Sequence, residues 1–246
     1  MSGEAAPPAR SKKIDRKPAE RLYGRRRGHA LRPRQERLLS EALPRMAFPL
    51  ERASEAAAAF AVPVRSVWLE VGFGGGEHAE AIAAANPDIG LIAAEVFENG
   101  VGSLLSRLVP EGEEALAPLP PNLRLWTADA RRLIAALPDG ALGRLYLMFP
   151  DPWPKARHAR RRFVHPATLG EVARVLSPGA EWRLASDDPT YQNWVAETLG
   201  AQALFEIASV ADARPDGWPP TRYEAKALRE GRRPRYWTLV RRGVAT

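Results

Sequence analysis

The sequence contains no cysteine, and only four histidines and three methionines occur among its 246 residues. The lack of cysteine excludes a disulfide framework, a thiolate metal site and a cysteine nucleophile. No apolar run approaches the roughly 18 residues that a membrane span requires, and the N-terminus lacks the apolar core of a signal peptide. We therefore expect a soluble, cytoplasmic protein with no membrane anchor and no bound metal. The sequence leaves open whether it is a monomer or a homodimer.

Positive charge is concentrated at the N-terminus. The formal net charge is +7, yet residues 1–45 alone hold thirteen Lys/Arg against five Asp/Glu, so residues 46–246 are close to neutral. The same segment is rich in proline and poor in apolar residues, a composition that cannot build a core. We predict a flexible basic arm over residues 1–45 and a folded domain over residues 46–246. The arm is either a solvated tail or a contact for a polyanion, because clustered cations displace counterions from phosphates.

From residue 64 onward, short runs rich in Val, Leu and Ile alternate with helical patterns. Strands that alternate with helices indicate an α/β fold with a mostly parallel, twisted sheet and helices on both faces. The predicted strands are Ser66–Val71, Ile89–Glu95, Leu123–Thr127, Leu145–Phe149, Trp182–Ser186 and Tyr236–Arg241. The predicted helices are Glu77–Ala85, Asn99–Leu108, Ala130–Leu137 and Pro166–Leu176, and Glu111–Pro121 is expected to be a loop. We expect irregular chain from Ser209 to the last strand.

A glycine-rich loop follows the first predicted strand, in the segment LEVGFGGGEHAEA. Gly72 and Gly74 let a ligand approach the backbone closely, and open α/β sheets bind ligands outside the carboxyl ends of their strands. The dinucleotide fingerprint has glycine where this chain has Glu77, and the charges of Glu70 and Glu77 would repel a pyrophosphate. The loop would therefore tolerate a ligand that carries an amine or sulfonium cation. By itself it is also compatible with an ordinary strand-to-helix turn.

Three acidic residues stand at successive strand ends. They are Glu70 at the first predicted strand, Glu95 at the second and Asp129 after the third. A carboxylate at the end of the second strand typically accepts from a pair of ribose hydroxyls, and one after the third can accept from an adenine amino group. A single acid at such a position is most often a helix N-cap, as Asp129 would be. Three beside a glycine loop favour an adenosine ligand without phosphate, such as S-adenosylmethionine.

The segment FPDPWPKARHARRR places one rigid aspartate beside a run of cations. Asp151 lies between two prolines that restrict the backbone, and it precedes Trp153. Five cations follow within eight residues: Lys155, Arg157, Arg160, Arg161 and Arg162. We interpret the aspartate as a contact for a nucleobase and the cations as contacts for RNA phosphates. The alternative for the cations is a solvated helix start.

These motifs together resemble the signature of the bacterial tRNA (guanine-N7-)-methyltransferases. The resemblance runs over roughly residues 65–240 and includes the glycine loop, the DPWP segment, LIAAEVFENGVGSLL, RLASDDPTYQNW and TRYEAKALREGR. It implies a class I, Rossmann-like methyltransferase domain that transfers a methyl group from S-adenosylmethionine to N7 of a guanine in the tRNA variable loop. Phe97 stands where the family often has histidine, and the run ALREGRRPRYW departs from the family's usual glycine-rich, histidine-containing run.

The resemblance also implies roles for single residues. Glu70, Glu95 and Asp129 correspond to cofactor contacts, beside Gly72 and Gly74 of the glycine loop. Asp151 corresponds to the aspartate of the catalytic site, where it also faces the cofactor. The implied tRNA contacts are Lys155, Asp187, Thr221, Arg222, Tyr223 and Glu224, and Asp188 is an alternative to Asp187.

The chemistry of guanine N7 agrees with this set of residues. N7 carries a lone pair and no proton, so its attack on a sulfonium methyl group needs orientation and electrostatic stabilisation but no general base. N7 lies in the deep, narrow groove of A-form RNA, so the base must be unstacked or extruded to react. Two other functions remain open at this point: a nicotinamide-dependent oxidoreductase, which would share the glycine loop and Glu95, and a non-catalytic RNA-binding module.

Overall fold

The computed structural model describes residues 26–243. In that range the strands are β1 Ser66–Val71, β2 Ile89–Ala94, β3 Leu123–Trp126, β4 Leu142–Met148, β5 Leu176–Ser186, β6 Phe205–Ala211 and β7 Arg235–Arg241. The α-helices are α1 Pro33–Arg37, α2 Leu43–Met46, α3 Glu77–Ala85, α4 Glu98–Leu108, α5 Ala130–Ala136, α6 Pro166–Val175, α7 Pro189–Gly200 and α8 Arg222–Arg229. A π-helical turn, Leu38–Ala42, joins α1 to α2, and 3-10 helices cover Leu50–Ala59 and Ala156–Arg161.

The strands form one sheet in the order β3-β2-β1-β4-β5-β7-β6. Strands β1 to β5 pair with one another in parallel, whereas β7 is antiparallel to both β5 and β6. The order reverses at β1, which pairs with β2 on one side and β4 on the other. The predicted α/β fold with a mostly parallel sheet is confirmed.

The sheet separates two hydrophobic clusters because successive side chains of a strand point to opposite faces. In β1, Leu69 belongs to the cluster under α5, α6 and α7, whereas Trp68 belongs to the cluster under α3 and α4. The central strands are therefore buried on both faces, which explains why they read as continuous apolar runs in the sequence. Within residues 26–243, every helix is too short or too polar to cross a bilayer.

The predicted arm overlaps a packed helical segment. Leu38, Ala42 and Met46 follow each other at intervals of four, so they share one helix face, and all three are fully buried in the cluster under α3 and α4. Arg34 donates to the carbonyl of Val109 at 2.6 Å, which fastens the segment to the chain after α4. The predicted boundary at residue 45 is corrected accordingly, because residues 33–46 pack against the sheet domain. Residues 1–25 of the predicted arm lie outside the described residues.

Several of the arm's cations also have internal partners. Arg37 and Arg34 lie 3.3 and 3.6 Å from the buried carboxylate of Glu114, and Arg45 donates to the carbonyl of Ala117 at 2.7 Å. These side chains hold the N-terminal helices to the predicted loop Glu111–Pro121, which has no regular structure. Three arginines that the sequence presented as charge for a polyanion therefore stabilise the fold instead.

The prediction of irregular chain after Ser209 is wrong. Strand β6 continues to Ala211, and α8 follows from Arg222. Both elements are mostly exposed, since Phe205 is the one buried residue of β6 and Ala227 the one buried residue of α8, so neither contains the buried apolar run that marks the central strands. Pairing with β7 forms the strand, and the Thr221 hydroxyl, which accepts from the backbone N–H of Glu224 at 3.0 Å, caps the helix.

Candidate functional site

A cleft of about 600 Å³ lies at the carboxyl ends of β1, β2, β3 and β4. This is the point where the strand order reverses, and it is where open α/β sheets bind their ligands. Most of the residues that the sequence assigned to a cofactor line it: Gly72, Gly74, Glu95, Asp129 and Asp151. Arg161 and Tyr223 of the predicted RNA-contact sets line it as well.

The glycine loop crosses the floor of the cleft in a conformation that requires glycine. Gly72, Gly74 and Gly76 have φ values of 77°, 59° and 83°, a region that residues with a Cβ rarely adopt. Beyond the loop, Gly100 of α4 approaches so closely that a Cβ placed on it would lie 2.2 Å from the carbonyl oxygen of Gly74. The loop can therefore take this position only because glycine occupies both the loop and the facing site on α4.

Glu95 connects the end of β2 to the glycine loop. Its Oε2 accepts from the N–H of Gly74 at 2.7 Å, and its Oε1 accepts from the N–H groups of Val96 and Phe97 at 2.7 and 2.9 Å. Burial raises the pKa of Glu95 above its ordinary value, the three backbone N–H groups oppose that rise, and the charge of Asp151 adds to it. Glu95 and Asp151 thus interact electrostatically across the same cleft.

Asp129 is both a helix cap and part of the cleft wall. Its Oδ1 accepts from the N–H of Arg131 at 2.9 Å, which makes it the N-cap of α5, and its Oδ2 lies 3.4 Å from the Arg131 guanidinium. The sequence left open whether Asp129 is a helix cap, and the structure shows that it is. Asp129 lines the cleft at the same time.

Glu70 lies below the glycine loop and does not line the main cleft. Its side chain is 1% exposed, and its Oε1 lies 3.1 Å from Nδ1 of His78, which is 3% exposed. The pair borders a much smaller cavity together with Arg222 and Tyr223. The predicted contact of Glu70 with the cofactor stays a prediction, and its position favours support of the glycine loop from beneath.

Asp151 stands on a loop with an unusual backbone. Phe149 and Trp153, which flank the aspartate two residues away on each side, have φ values of 53° and 44°. Left-handed residues other than glycine are uncommon and are strained when bulky, and they cluster at functional sites. The N–H of Phe149 donates to the carbonyl of Ala185 at 2.8 Å, which ties the start of the loop to β5. The Asp151 side chain is exposed at the mouth of the cleft.

The cations that follow Asp151 do not share one environment. Lys155, Arg157 and Arg160 are exposed on or beside the 3-10 helix Ala156–Arg161, as expected of residues that contact phosphates. Arg161 lies over the ring of Trp153, 4.7 Å from its centre, and lines the cleft. Arg162 is 4% exposed and points inward. The prediction that Arg162 contacts an RNA phosphate is therefore corrected, because its guanidinium is enclosed by the protein.

The predicted contacts on α8 have distinct surroundings. Tyr223 leans over Gly74, since a Cβ placed on that glycine would lie 2.9 Å from the tyrosine ring. Arg222 is exposed beside it, and Thr221 is the helix cap. Glu224 accepts from the hydroxyl of Tyr236 at 2.9 Å and lies 3.1 Å from Arg214. Burial raises the pKa of Tyr236, so its hydroxyl stays protonated and donates.

The two adjacent aspartates after β5 have different roles. Asp188 is the N-cap of α7 and accepts from the N–H of Tyr191 at 2.9 Å. Asp187 lies 2.8 Å from the guanidinium of Arg232 and outside the cleft lining. Because Asp188 is committed to the helix, Asp187 is the better candidate for an external contact of the two.

Sequence reasoning missed several cleft residues. Phe163, which directly follows the cations after Asp151, and Arg131 line it, although the sequence assigned neither of them a role. Phe97 also lines the cleft, at the position where the resembling family often has histidine, so the side chain there is an apolar phenyl ring. Among residues 26–243 there is no group of three or more acidic or histidine side chains arranged to hold a metal.

Comparisons with known proteins identify relatives along most of the chain. A family model described as a putative methyltransferase matches residues 64–235. The tRNA (guanine-N(7)-)-methyltransferase of Granulibacter bethesdensis is 61% identical over 224 residues, which cover 91% of this chain and 96% of that protein. The enzyme with the same name from Rhodospirillum rubrum is 46% identical over 237 residues, which cover 92% of this chain and 90% of that protein.

Solved structures share the fold at lower identity. The 16S rRNA methyltransferase KamB aligns with a TM-score of 0.53 at 19% identity, over 73% of this chain and 89% of that one. The 16S rRNA (adenine(1408)-N(1))-methyltransferase from Catenulisporales acidiphilia aligns with a TM-score of 0.53 at 16% identity, over 80% of this chain and 95% of that one. At these identities the likeness concerns the fold alone.

Proposed function

The chain belongs to the tRNA (guanine-N(7)-)-methyltransferase family, and we propose that it transfers the methyl group of S-adenosylmethionine to N7 of a guanine in tRNA. The guanine is in the variable loop, and the enzyme works in the cytoplasm, where tRNA is its macromolecular partner. The observation that carries the proposal is one cleft in which the glycine loop and Glu95 face Asp151.

The residues of the cleft fit S-adenosylmethionine. A carboxylate offers about four acceptor positions, and Glu95 uses three of them for backbone N–H groups. An acceptor remains for a ribose hydroxyl. A Cβ placed on Gly72 would meet no atom within 4 Å, so the loop borders open space that a ligand can fill. The carboxylates of Glu95, Asp129 and Asp151 complement a cationic ligand and disfavour a pyrophosphate.

Asp151 carries the central role in the reaction. The bound cofactor supplies a methyl group on a positively charged sulfur, and the protein supplies orientation and charge. The Asp151 carboxylate accepts from N1–H and the amino group of guanine, which selects this base and aims N7. As positive charge develops on the purine, the same carboxylate stabilises it. No residue abstracts a proton, since N7 carries none.

The exposed cations beside Asp151 hold the RNA. Lys155, Arg157 and Arg160 lie on the surface next to the cleft mouth, where they contact the phosphates that flank the extruded base. Tyr223 and Arg222 close the opposite side of the glycine loop. The rigid acidic loop thus receives the base while the cations hold the backbone on either side of it. Incubation of the protein with bulk tRNA and labelled S-adenosylmethionine, followed by nucleoside mapping, tests the proposal; label outside N7-methylguanosine contradicts it.

Replacing Glu95 with Gln should weaken cofactor binding at least about ten-fold, because a charge-assisted hydrogen bond to ribose becomes a neutral one and the amide nitrogen cannot accept from a backbone N–H as the carboxylate does. Since burial raises the pKa of Glu95, the affinity of the native protein should fall as the pH drops through the acidic range and the carboxylate takes up a proton. The affinity of Glu95→Gln should not show that step. Calorimetric titration with S-adenosylmethionine at several pH values measures both effects. Equal affinities for the two proteins at neutral pH would exclude Glu95 from the cofactor site.

Removal of residues 1–25 should weaken tRNA binding and leave the fold intact. The segment holds seven Lys/Arg and three Asp/Glu, whereas the buried Leu38 and Met46 stay in the shortened protein. Every cation–phosphate pair that the deletion removes should reduce the slope of log K against log salt by about 0.7–0.9. Filter binding over a salt series measures the slope, with cofactor affinity and melting temperature as controls. An unchanged slope would make the segment a passive tail.

A further inference from the structure

Arg162 is buried among groups that belong to the Asp151 loop. Its side chain is 4% exposed. Its Nε donates to the carbonyl of Pro152 at 3.1 Å, and its Nη2 donates to the carbonyl of Trp153 at 3.0 Å. These carbonyls belong to the two residues that directly follow Asp151. A guanidinium presents its donors in a rigid fork, so two carbonyls bound at once fix the course of the backbone between them.

The backbone that Arg162 binds is strained. Trp153 has a φ of 44°, and a bulky residue keeps a left-handed conformation only when its surroundings enforce it. The carbonyl of Trp153 is one of the two acceptors of Arg162. A loop released from this contact would relax toward ordinary φ values, and Asp151 would move with it.

A second element holds Arg162 in place. Its guanidinium carbon lies 4.7 Å from the centre of the Trp194 ring. Trp194 belongs to α7, and its Nε1 donates to the carbonyl of Val164 at 2.5 Å. The ring of His165 stacks on Trp194, with 5.9 Å between the ring centres. The guanidinium of Arg162 is therefore held against α7, and its two hydrogen bonds hold the Asp151 loop to the same helix.

We propose that Arg162 is a positioning residue for Asp151, and that it acts on methyl transfer by holding the Pro152 and Trp153 carbonyls. This inference rests on the proposed methyltransferase function. It separates Arg162 from its exposed neighbours Lys155, Arg157 and Arg160, which act on the RNA directly. The distinction is measurable, because a phosphate contact changes the salt dependence of tRNA binding whereas a positioning residue changes the rate of the bound complex.

The test compares Arg162→Gln and Arg162→Lys with the native protein. In Arg162→Gln, the single-turnover rate of methyl transfer at saturating tRNA and cofactor should fall at least ten-fold. The salt slope of tRNA binding and the affinity for S-adenosylmethionine should stay unchanged. Arg162→Lys keeps a cation that can reach one carbonyl, so it should recover part of the rate.

Arg174→Gln is the matched control. Arg174 also donates to two backbone carbonyls, those of Ile134 and Leu137, each at 2.8 Å, but it joins α6 to α5 away from the cleft. Its replacement should lower the melting temperature without lowering the transfer rate. If Arg162→Gln does not fold, the rate of Arg162→Lys decides.

Two outcomes would overturn the inference. One is a native transfer rate in a folded Arg162 variant. The other is a salt slope of tRNA binding that falls by the equivalent of about one phosphate contact, which would show that Arg162 binds the RNA directly. Failure of the proposed function is a separate result, since the native protein itself would then not methylate tRNA.

Discussion

Asp151→Asn should slow methyl transfer by about 100- to 1,000-fold, the range seen when one preorganised electrostatic contact to a transition state is removed. The substitution keeps the size of the side chain and removes its charge. The affinity for S-adenosylmethionine should fall much less than the rate, because the contact strengthens as positive charge develops on the guanine. The pH profile near neutrality should keep its shape, since no proton leaves N7. Single-turnover rates, with cofactor binding measured in parallel, provide the comparison.

Asp139→Asn makes the same chemical change away from the cleft. The Asp139 side chain is 83% exposed and pairs with Arg174 at 3.0 Å, so its replacement should leave transfer unaffected. Equal losses of binding and rate in Asp151→Asn would indicate that this residue serves the cofactor or the folding of its loop. A rate restored at high pH would indicate general-base chemistry and a different target atom.

Gly100→Ala should lower kcat/KM for methyl transfer about 100-fold, the loss that a displacement of roughly 1 Å at a reacting site can cause. The added methyl group would lie 2.2 Å from the carbonyl oxygen of Gly74, and a backbone atom cannot rotate away as a flexible side chain can. The glycine loop must therefore move, and with it the N–H of Gly74 that Glu95 accepts at 2.7 Å. Cofactor affinity, measured by calorimetry, should fall together with the melting temperature.

Gly170→Ala is the control for that substitution. Gly170 lies inside α6, and a Cβ placed on it would meet no atom within 4 Å. Alanine is the better helix former, so this variant should be more stable by up to about 1 kcal/mol, with unchanged activity. Native cofactor affinity in Gly100→Ala would show that α4 can shift without moving the loop.

The sequence predicted best those elements whose pattern of apolar residues matches the side chains that the fold buries. Strand β1 and helix α3 have the predicted bounds, because a continuous apolar run ends at the glycine loop and an apolar helical pattern begins after it. The cleft was predictable for the same reason, since the ends of parallel strands meet at one edge of the sheet. Glu95, Asp129 and Asp151 meet there although the first and the last are 56 positions apart in the sequence.

The errors come from residues whose surroundings are set by distant parts of the chain. Arg161 and Arg162 are indistinguishable in the sequence, yet one lines the cleft and the other faces two carbonyls inside the protein. Leu38 and Met46 lie in the run LLSEALPRM, where apolar and polar residues alternate irregularly, so their common face becomes a core only when the sheet covers it. Arg34 likewise looks like one more cation of a solvated arm in the sequence, whereas in the structure it donates to the carbonyl of Val109.

The position of β7 has a consequence for synthesis on the ribosome. It follows β6 and α8 in the chain, yet it lies between β5 and β6 in the sheet. Until residues 235–241 leave the ribosome, one edge of β5 has no partner and β6 has nothing to pair with. Open strand edges recruit other chains, so the nascent protein is prone to aggregate while β5 and β6 lack β7. A stop codon placed before Arg235 should therefore yield aggregated protein, and a pause there should increase the demand for chaperones.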